Sequence, residues 1–394
     1  METKNVFENR VKSIFENRGF SEVSIQHEIG PEKGLGVVGN ISHAKICAVK
    51  DGVPQEIDVV IKSAPNDLTY RKTMPVRNWF LREVYYYDKI APVYAKLQDE
   101  LSVTNKIRCF FPKYYGSCNK SQEEFIILED LTKRGFCVSP LHILDYDHAA
   151  IMVRNIAKLH ALSFINEERN PKVFREMADD CIYILLVLKR EYDEKYILEH
   201  AEKTMDQFTR AITDASLRQR FQVAAGTNAI EKCKQLSKLG KIKAILHGDN
   251  WLCNHMFKYE DGKPTEGMPM DFQWSMYSSI GYDFIYLYTF AVSEELRNSK
   301  FYHLVDEYYA ELKSFLAVCG YDVKKFCSYE QLKDEIKGQA LISCLVSMIA
   351  TPFFKNPGVT LPDMLVSPSA YAVTEEYKSF VNDMITAWAN LGFI

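Results

Sequence analysis

The sequence is short of net charge, of cysteine motifs and of long apolar runs, and each shortage excludes something. Its 48 basic and 52 acidic residues leave a formal charge of −4 and a pI near 6.2. No basic surplus is present to recruit nucleic acid or an anionic membrane. Ten cysteines are scattered without a Cys-x-x-Cys and without zinc-like spacing to histidine. They read as free thiols in a reducing compartment, so a cytoplasmic protein is expected. The first residues, Met1 to Arg10, carry charge throughout and lack the apolar stretch of a secretion signal. The longest apolar run, Leu341 to Phe354, is too short and too interrupted to span a bilayer. What remains is a chain of 394 residues, 47% hydrophobic and 25% charged. Those proportions suit a globular protein, and the length suits two lobes.

The chain is organised around residues 245 to 283. Ala244, Ile245 and Leu246 read as a short buried strand that ends at His247. Asp249 and Asn254 follow five residues apart, then a second apolar strand over His255 to Phe257, then Met270-Asp271-Phe272-Gln273. This layout suits phosphoryl transfer from ATP. One carboxylate, Asp249, receives the attacking hydroxyl, while the Asn254 amide and the Asp271 carboxylate supply hard oxygen ligands for Mg²⁺. His-x-Asp-x4-Asn followed by Asp-Phe-x also has the order of the protein-kinase catalytic loop and metal motif, with Gln273 in place of glycine.

Upstream, apolar Val6, Phe7, Val11, Ile14 and Phe15 predict one amphipathic helix over residues 4 to 19. Strands are expected over 23–29, 44–49 and 57–62. Between the first two lies Gly34-Leu35-Gly36-Val37-Val38-Gly39-Asn40. A strand follows these glycines where a dinucleotide-binding turn would open a helix. A glycine-rich hairpin that covers nucleotide phosphates with backbone N–H groups fits better. Asp58-Val59-Val60-Ile61-Lys62 is a strand ending in lysine, comparable to the Val-Ala-Ile-Lys strand of kinases. A helix over 78–90 presents Phe80, Glu83, Val84 and Tyr87 at helical spacing.

At HGDNWLCNHMF and MDFQWSMYSSIGYDF the sequence resembles the CHK kinase-like (ecdysteroid kinase-like) family, a branch of the aminoglycoside phosphotransferase and choline kinase superfamily. That family's pattern runs His-Gly-Asp-x-Trp-x-x-Asn-x-x-Phe, then Asp-Phe-Gln, then Asp-Leu about ten residues on. Here the last pair is Asp283-Phe284, a conservative departure. The resemblance implies that Phe80, Glu83 and Tyr87 mark the helix whose glutamate pairs with Lys62. It implies that Glu129 and Leu131, after the apolar Phe125-Ile126-Ile127-Leu128, bind adenine through main chain. It also implies that His247 braces the loop and that Asp283 holds loop backbone N–H groups. The family's own glycine loop matches loosely, at Gly39, Asn40 and Ser42, so Gly34, Gly36, Gly39 and Asn40 all stay candidates for phosphate. His160, in Ala157-Lys158-Leu159-His160-Ala161, reads as a packed, hydrogen-bonded helix residue.

The expected architecture is therefore α+β: a two-lobed protein-kinase-like fold. A small antiparallel-sheet lobe over 1–131 precedes a larger, mainly helical lobe over 132–394. Helical segments are expected over 146–164, within 177–239, and over 284–317, 329–350 and 371–391. Ile182, Leu185, Leu186 and Leu188 form a stripe in the second of these. The expected activity is ATP- and Mg²⁺-dependent phosphorylation of a small molecule, since no Ala-Pro-Glu segment of protein-substrate kinases follows Asp271. The resemblance points to a lipophilic alcohol such as an ecdysteroid or a hydroxylated xenobiotic, with no protein partner implied. Choline- or aminoglycoside-type acceptors are the alternative. An inactive nucleotide- or lipophile-binding pseudokinase is another, though joint retention of Lys62, Glu83, Asp249, Asn254 and Asp271 argues against it. The segment Ala350 to Gly358 is expected to form a loop whose Phe353 and Phe354 line an apolar acceptor site, because no carboxylate lies between Ala350 and Leu361.

Overall fold

The computed structural model describes residues 2–27, 39–68, 71, 75–141, 143–181, 194–236, 238–355 and 373–394. Helix α1 (Glu2–Glu16) lies on a five-stranded antiparallel sheet of order β1-β2-β3-β5-β4. The strands are β1 (Phe20–His27), β2 (Asn40–Lys50), β3 (Val53–Ser63), β4 (Tyr114–Cys118) and β5 (Phe125–Glu129). Side chains alternate across a strand, so β5 serves two cores at once. Phe125 and Ile127 meet Val11 and Phe15 of α1, while Ile126 and Leu128 join the large core on the opposite face. That second face receives α2 (Val76–Tyr85) through Trp79 and Phe80. One helix was expected over 78–90. Instead α2 ends at Tyr85, a π-turn covers Tyr86–Ile90, and α3 (Ala91–Glu100) continues beyond it.

A 3₁₀ turn at Leu131–Arg134, capped by the Asp130 carboxylate on the Thr132 N–H at 2.9 Å, leads out of β5 into the helical part. After the short β6 (Cys137–Val138), α4 (Tyr146–Arg169) runs through its centre, five residues longer than expected and buried along most of its length. Helices α5 (Pro171–Asp180), α6 (Glu194–Ala211), α7 (Ala215–Ala225) and α8 (Ala229–Leu236) follow. The stripe Ile182, Leu185, Leu186 and Leu188 lies outside the described residues.

Four short strands then build the scaffold of the site: β7 (Lys243–Leu246), β8 (His255–Glu260), β9 (Lys263–Pro269) and β10 (Met276–Ser279). The helix expected over 284–317 is three: α9 (Gly281–Phe290), α10 (Glu294–Ser299) and α11 (Phe301–Val318). Ser293 restarts the chain by capping the Leu296 N–H at 3.3 Å, which ends one helix and begins the next. Helix α12 (Tyr329–Lys355) packs on α9, and α13 (Glu375–Asn390) closes the described chain. The loop expected from Ala350 is helix as far as Lys355, so Phe353 and Phe354 belong to the last turns of α12. Pro352 did not end that helix; residues 356–372 are outside the described set. Among the described residues, no helix is long and apolar enough to cross a membrane.

Candidate active site

Two loops meet because two ladders hold their ends. The first loop, 247–254, leaves β7 and enters β8; the second, 270–275, leaves β9 and enters β10. Leu246 pairs with Met276, and His255 pairs with Pro269, so the loops are bracketed by the same strand pairs and face each other. Gly248 sits at the tightest point. Its φ is +83°, and a Cβ there would stand 2.0 Å from the Trp274 carbonyl oxygen. Only glycine permits both that dihedral and that approach.

The fully buried Asp283, on α9, holds the first loop from below. Its Oδ2 accepts from the His247 backbone N–H at 2.8 Å, and its Oδ1 from that of Gly248 at 2.8 Å. His160 of α4 donates to Asp283 Oδ2 through Nε2 at 3.1 Å and receives the Tyr308 hydroxyl at Nδ1, 2.7 Å away. His247 is itself buried. Its Nε2–H bonds the Met270 carbonyl at 3.0 Å, and its Nδ1 accepts from the Asp249 N–H at 3.3 Å. That ring ties the two loops together. Burial holds its pKa below the ordinary histidine value, so it serves as a neutral strut.

Asp249 is 7% exposed, and both carboxylate oxygens are held. Asn254 Nδ2 donates to Oδ2 at 2.9 Å and to the Asp249 backbone carbonyl at 2.9 Å. The Tyr286 hydroxyl, from α9, donates to Oδ1 at 2.8 Å. Burial pushes this carboxyl up to about 7, with the charge of Asp271 adding to the shift and the Tyr286 and Asn254 donors opposing it. A group poised there is ionised or protonated with little bias at neutral pH, which suits proton transfer.

Asp271 has φ +63°, a left-handed conformation rare outside glycine and common among strained functional residues. Its Oδ1 accepts from Lys62 Nζ at 2.8 Å, and Glu83 Oε2 accepts from the same ammonium at 2.7 Å. Lys62 is 6% exposed and Glu83 1%. Burial works against the lysine charge, but the Asp271 and Glu83 carboxylates outweigh it and hold the ammonium above its ordinary value. The next residue, Phe272, anchors this arrangement. It stacks on Tyr86 at 3.7 Å between centroids and meets Tyr87 and Phe111 edge-on at 5.7 and 5.9 Å. The π-turn after α2 is what presents Tyr86 and Tyr87 consecutively to that ring.

The remaining candidates lie around this centre. Gly39 and Asn40 open β2 beside β3; a Cβ on Gly39 would stand 3.3 Å from Lys62 Cγ. Gly34 and Gly36 lie outside the described residues. Glu129 ends β5, with its N–H already given to the Lys113 carbonyl at 2.8 Å. Leu131 is buried, and its carbonyl takes the Phe136 N–H at 3.2 Å.

The structure thus brings Lys62, Glu83, Asp249, Asn254 and Asp271 into one network. For a Mg²⁺ ion the donor set fits. Asn254 spends its amide nitrogen on Asp249 and keeps its oxygen, and Asp271 offers a carboxylate that is partly open. Magnesium takes few protein ligands and fills the rest of its shell with phosphate and water. Sequence reasoning missed Tyr286 as a site residue. Its signal was the spacing from Asp283: three residues apart on a helix, the two share a face.

No curated protein matches the sequence. Among solved structures, the GDP complex of wild-type aminoglycoside 2′-phosphotransferase-IIIa is similar at 13% identity and a TM-score of 0.45, over 97% of this chain and 99% of that one. Aminoglycoside-3′-phosphotransferase of type VIII is similar at 13% identity and a TM-score of 0.35, over 87% of this chain and 99% of that one. Both likenesses are remote, and the assignment rests on the sequence match instead. The model of the ecdysteroid kinase-like family matches residues 37–321, well over half the chain, from before Lys62 to beyond Asp283. The chain belongs to the ecdysteroid kinase-like family, and is accordingly a small-molecule phosphotransferase of kinase-like fold.

Proposed function

We propose that the protein transfers the γ-phosphoryl group of Mg²⁺-bound ATP to a hydroxyl of a lipophilic alcohol, such as an ecdysteroid or a hydroxylated xenobiotic. The observation that carries this reading is the Lys62 ammonium shared between Glu83 and Asp271, with Asp249 on the facing loop. Lys62, aligned by Glu83, binds the α- and β-phosphates. Asp271 and Asn254 hold Mg²⁺, which neutralises charge on the β- and γ-oxygens when bound. Gly39 and Asn40, beside Lys62, contact the phosphates. Adenine rests on the segment 129–131. There the Leu131 N–H and the Glu129 carbonyl take the base, because the Glu129 N–H and the Leu131 carbonyl are already engaged. The passage at 131–132 divides the two lobes.

Asp249 orients the acceptor hydroxyl and takes its proton as the bond from oxygen to γ-phosphorus forms and the bond to ADP breaks. Such assistance is worth about 10² to 10⁴ in rate. The match to the ecdysteroid kinase-like family supports the lipophilic acceptor. Tyr286, bonded to Asp249, belongs to a buried pair with Tyr282, the two rings 5.7 Å apart. A cytoplasmic setting is in keeping with ten cysteines that form no disulfide among the described residues.

The test is incubation with MgATP and a panel comprising an ecdysteroid, other hydroxylated steroids, choline and a kanamycin-type amine. Mass spectrometry then reads the gain of one phosphate. Steroid alcohols are expected to be phosphorylated fastest. Faster turnover of choline or the aminoglycoside would refute the acceptor class. Mg²⁺-dependent ATP binding with no turnover of any acceptor would point to a nucleotide-binding protein without catalysis.

A further inference from the structure

The catalytic carboxylate is held from two directions. Asn254 grips Asp249 Oδ2, and Tyr286 grips Oδ1 at 2.8 Å. We infer that Tyr286 is a positioning residue for phosphoryl transfer, fixing the plane of the Asp249 carboxylate so that an approaching acceptor hydroxyl meets a preset lone pair. This rests on the role given to Asp249 under the proposed function.

Three features of the fold make the tyrosine suited to that work. Its ring is 3% exposed and stacks on Tyr282 at 5.7 Å and 30°, so its hydroxyl has little freedom to swing away. It rides on the same face of α9 as Asp283, which binds the backbone of His247 and Gly248 on the same loop. One helix face therefore sets both where the loop backbone runs and how its carboxylate is turned. Asp283 is in turn braced by His160 and Tyr308, so the helix face has no slack to give. Asn254 also belongs to the proposed metal pair, so its amide would serve two partners at once. Misplacing a reacting group by even about 1 Å costs on the order of 10²-fold in rate.

The experiment compares wild type, Tyr286→Phe, Asp249→Asn and the double variant, using MgATP with an ecdysteroid as acceptor. Tyr286→Phe keeps the ring and its stack, so KM for ATP should stay close to wild type while kcat falls about 10-fold or more, and the lost buried hydroxyl bond should lower the melting temperature modestly. A residue that acts only through Asp249 has nothing left to do once that carboxylate is gone. The double variant should therefore be no slower than Asp249→Asn alone. Tyr288→Phe serves as the control for a structural role. It loses a buried hydroxyl on the same helix, bonded to the Arg297 carbonyl, and should lower stability without lowering kcat. If Tyr286→Phe does not fold, para-fluorophenylalanine at 286 fills the same space without a donor. Wild-type kcat in the donor-less variant, or losses that multiply in the double variant, would overturn the inference while leaving Asp249 in place. Near-normal turnover by Asp249→Asn would instead remove the functional reading beneath it, and the inference with it.

Discussion

The raised pKa of Asp249 makes a prediction about stability that needs no knowledge of the acceptor. In the folded protein this carboxyl holds its proton to about pH 7, against an ordinary 3.8. An unfolded chain releases the same proton near the ordinary value. Between those two points, raising the pH takes the proton from the unfolded state first, and the folded state is progressively disfavoured. The full difference is worth about 4 kcal/mol, and relaxation around the buried group makes that an upper bound. Asp249→Asn removes the titration. It also replaces a carboxylate by an amide facing the Asn254 amide, which costs something, but that cost is the same at every pH. The informative quantity is therefore how the difference in melting temperature changes with pH. Scanning calorimetry without nucleotide or metal, from pH 4.5 to 8.5, reads it directly. Relative to wild type, the variant should gain stability steadily through pH 4.5 to 7 and level off above. For a chain of this length the gain is several degrees, since each kcal/mol moves the midpoint by roughly 1–2 °C. Asp271, whose charge helps to raise the shift, is present in both proteins and cannot mimic the effect. Parallel curves across the whole range would refute the argument, as would a variant that loses ground as pH rises.

Two further perturbations probe the scaffold. Lys62→Met and Glu83→Gln should be strongly non-additive in kcat/KM, because the first loss already removes the 2.7 Å pair on which the second acts; multiplied losses would show that the pair plays no joint role. Gly248→Ala should cost about 3 kcal/mol and abolish turnover, since φ +83° and a backbone carbonyl 2.0 Å from the new Cβ cannot both be accommodated; an unchanged melting temperature would refute the packing.

Wherever neighbouring residues carry their own instruction, the sequence was sufficient. The apolar runs Phe125–Leu128 and Val59–Ile61 marked strands, and the 3.6 periodicity of residues 6–15 marked α1. The spacing of Asp249, Asn254 and Asp271 marked side chains that the fold brings close together. Local signals misled where tertiary contact outweighed propensity. Pro352 did not stop α12, whose buried Leu341, Ile342 and Leu345 favour helix through packing on α9. The π-turn at Tyr86–Ile90 has no one-dimensional signature, since it answers to the Phe272 ring, 185 or so positions on, that Tyr86 and Tyr87 must enclose. Tyr286 was legible only as sharing a helix face with Asp283. Only the packing of α9 beneath the first loop placed its hydroxyl on Asp249, and only burial of that carboxylate moved its proton affinity to neutrality. A sequence states which groups are available. Their mutual distances and their isolation from water, which set charge and reactivity, belong to the folded chain alone.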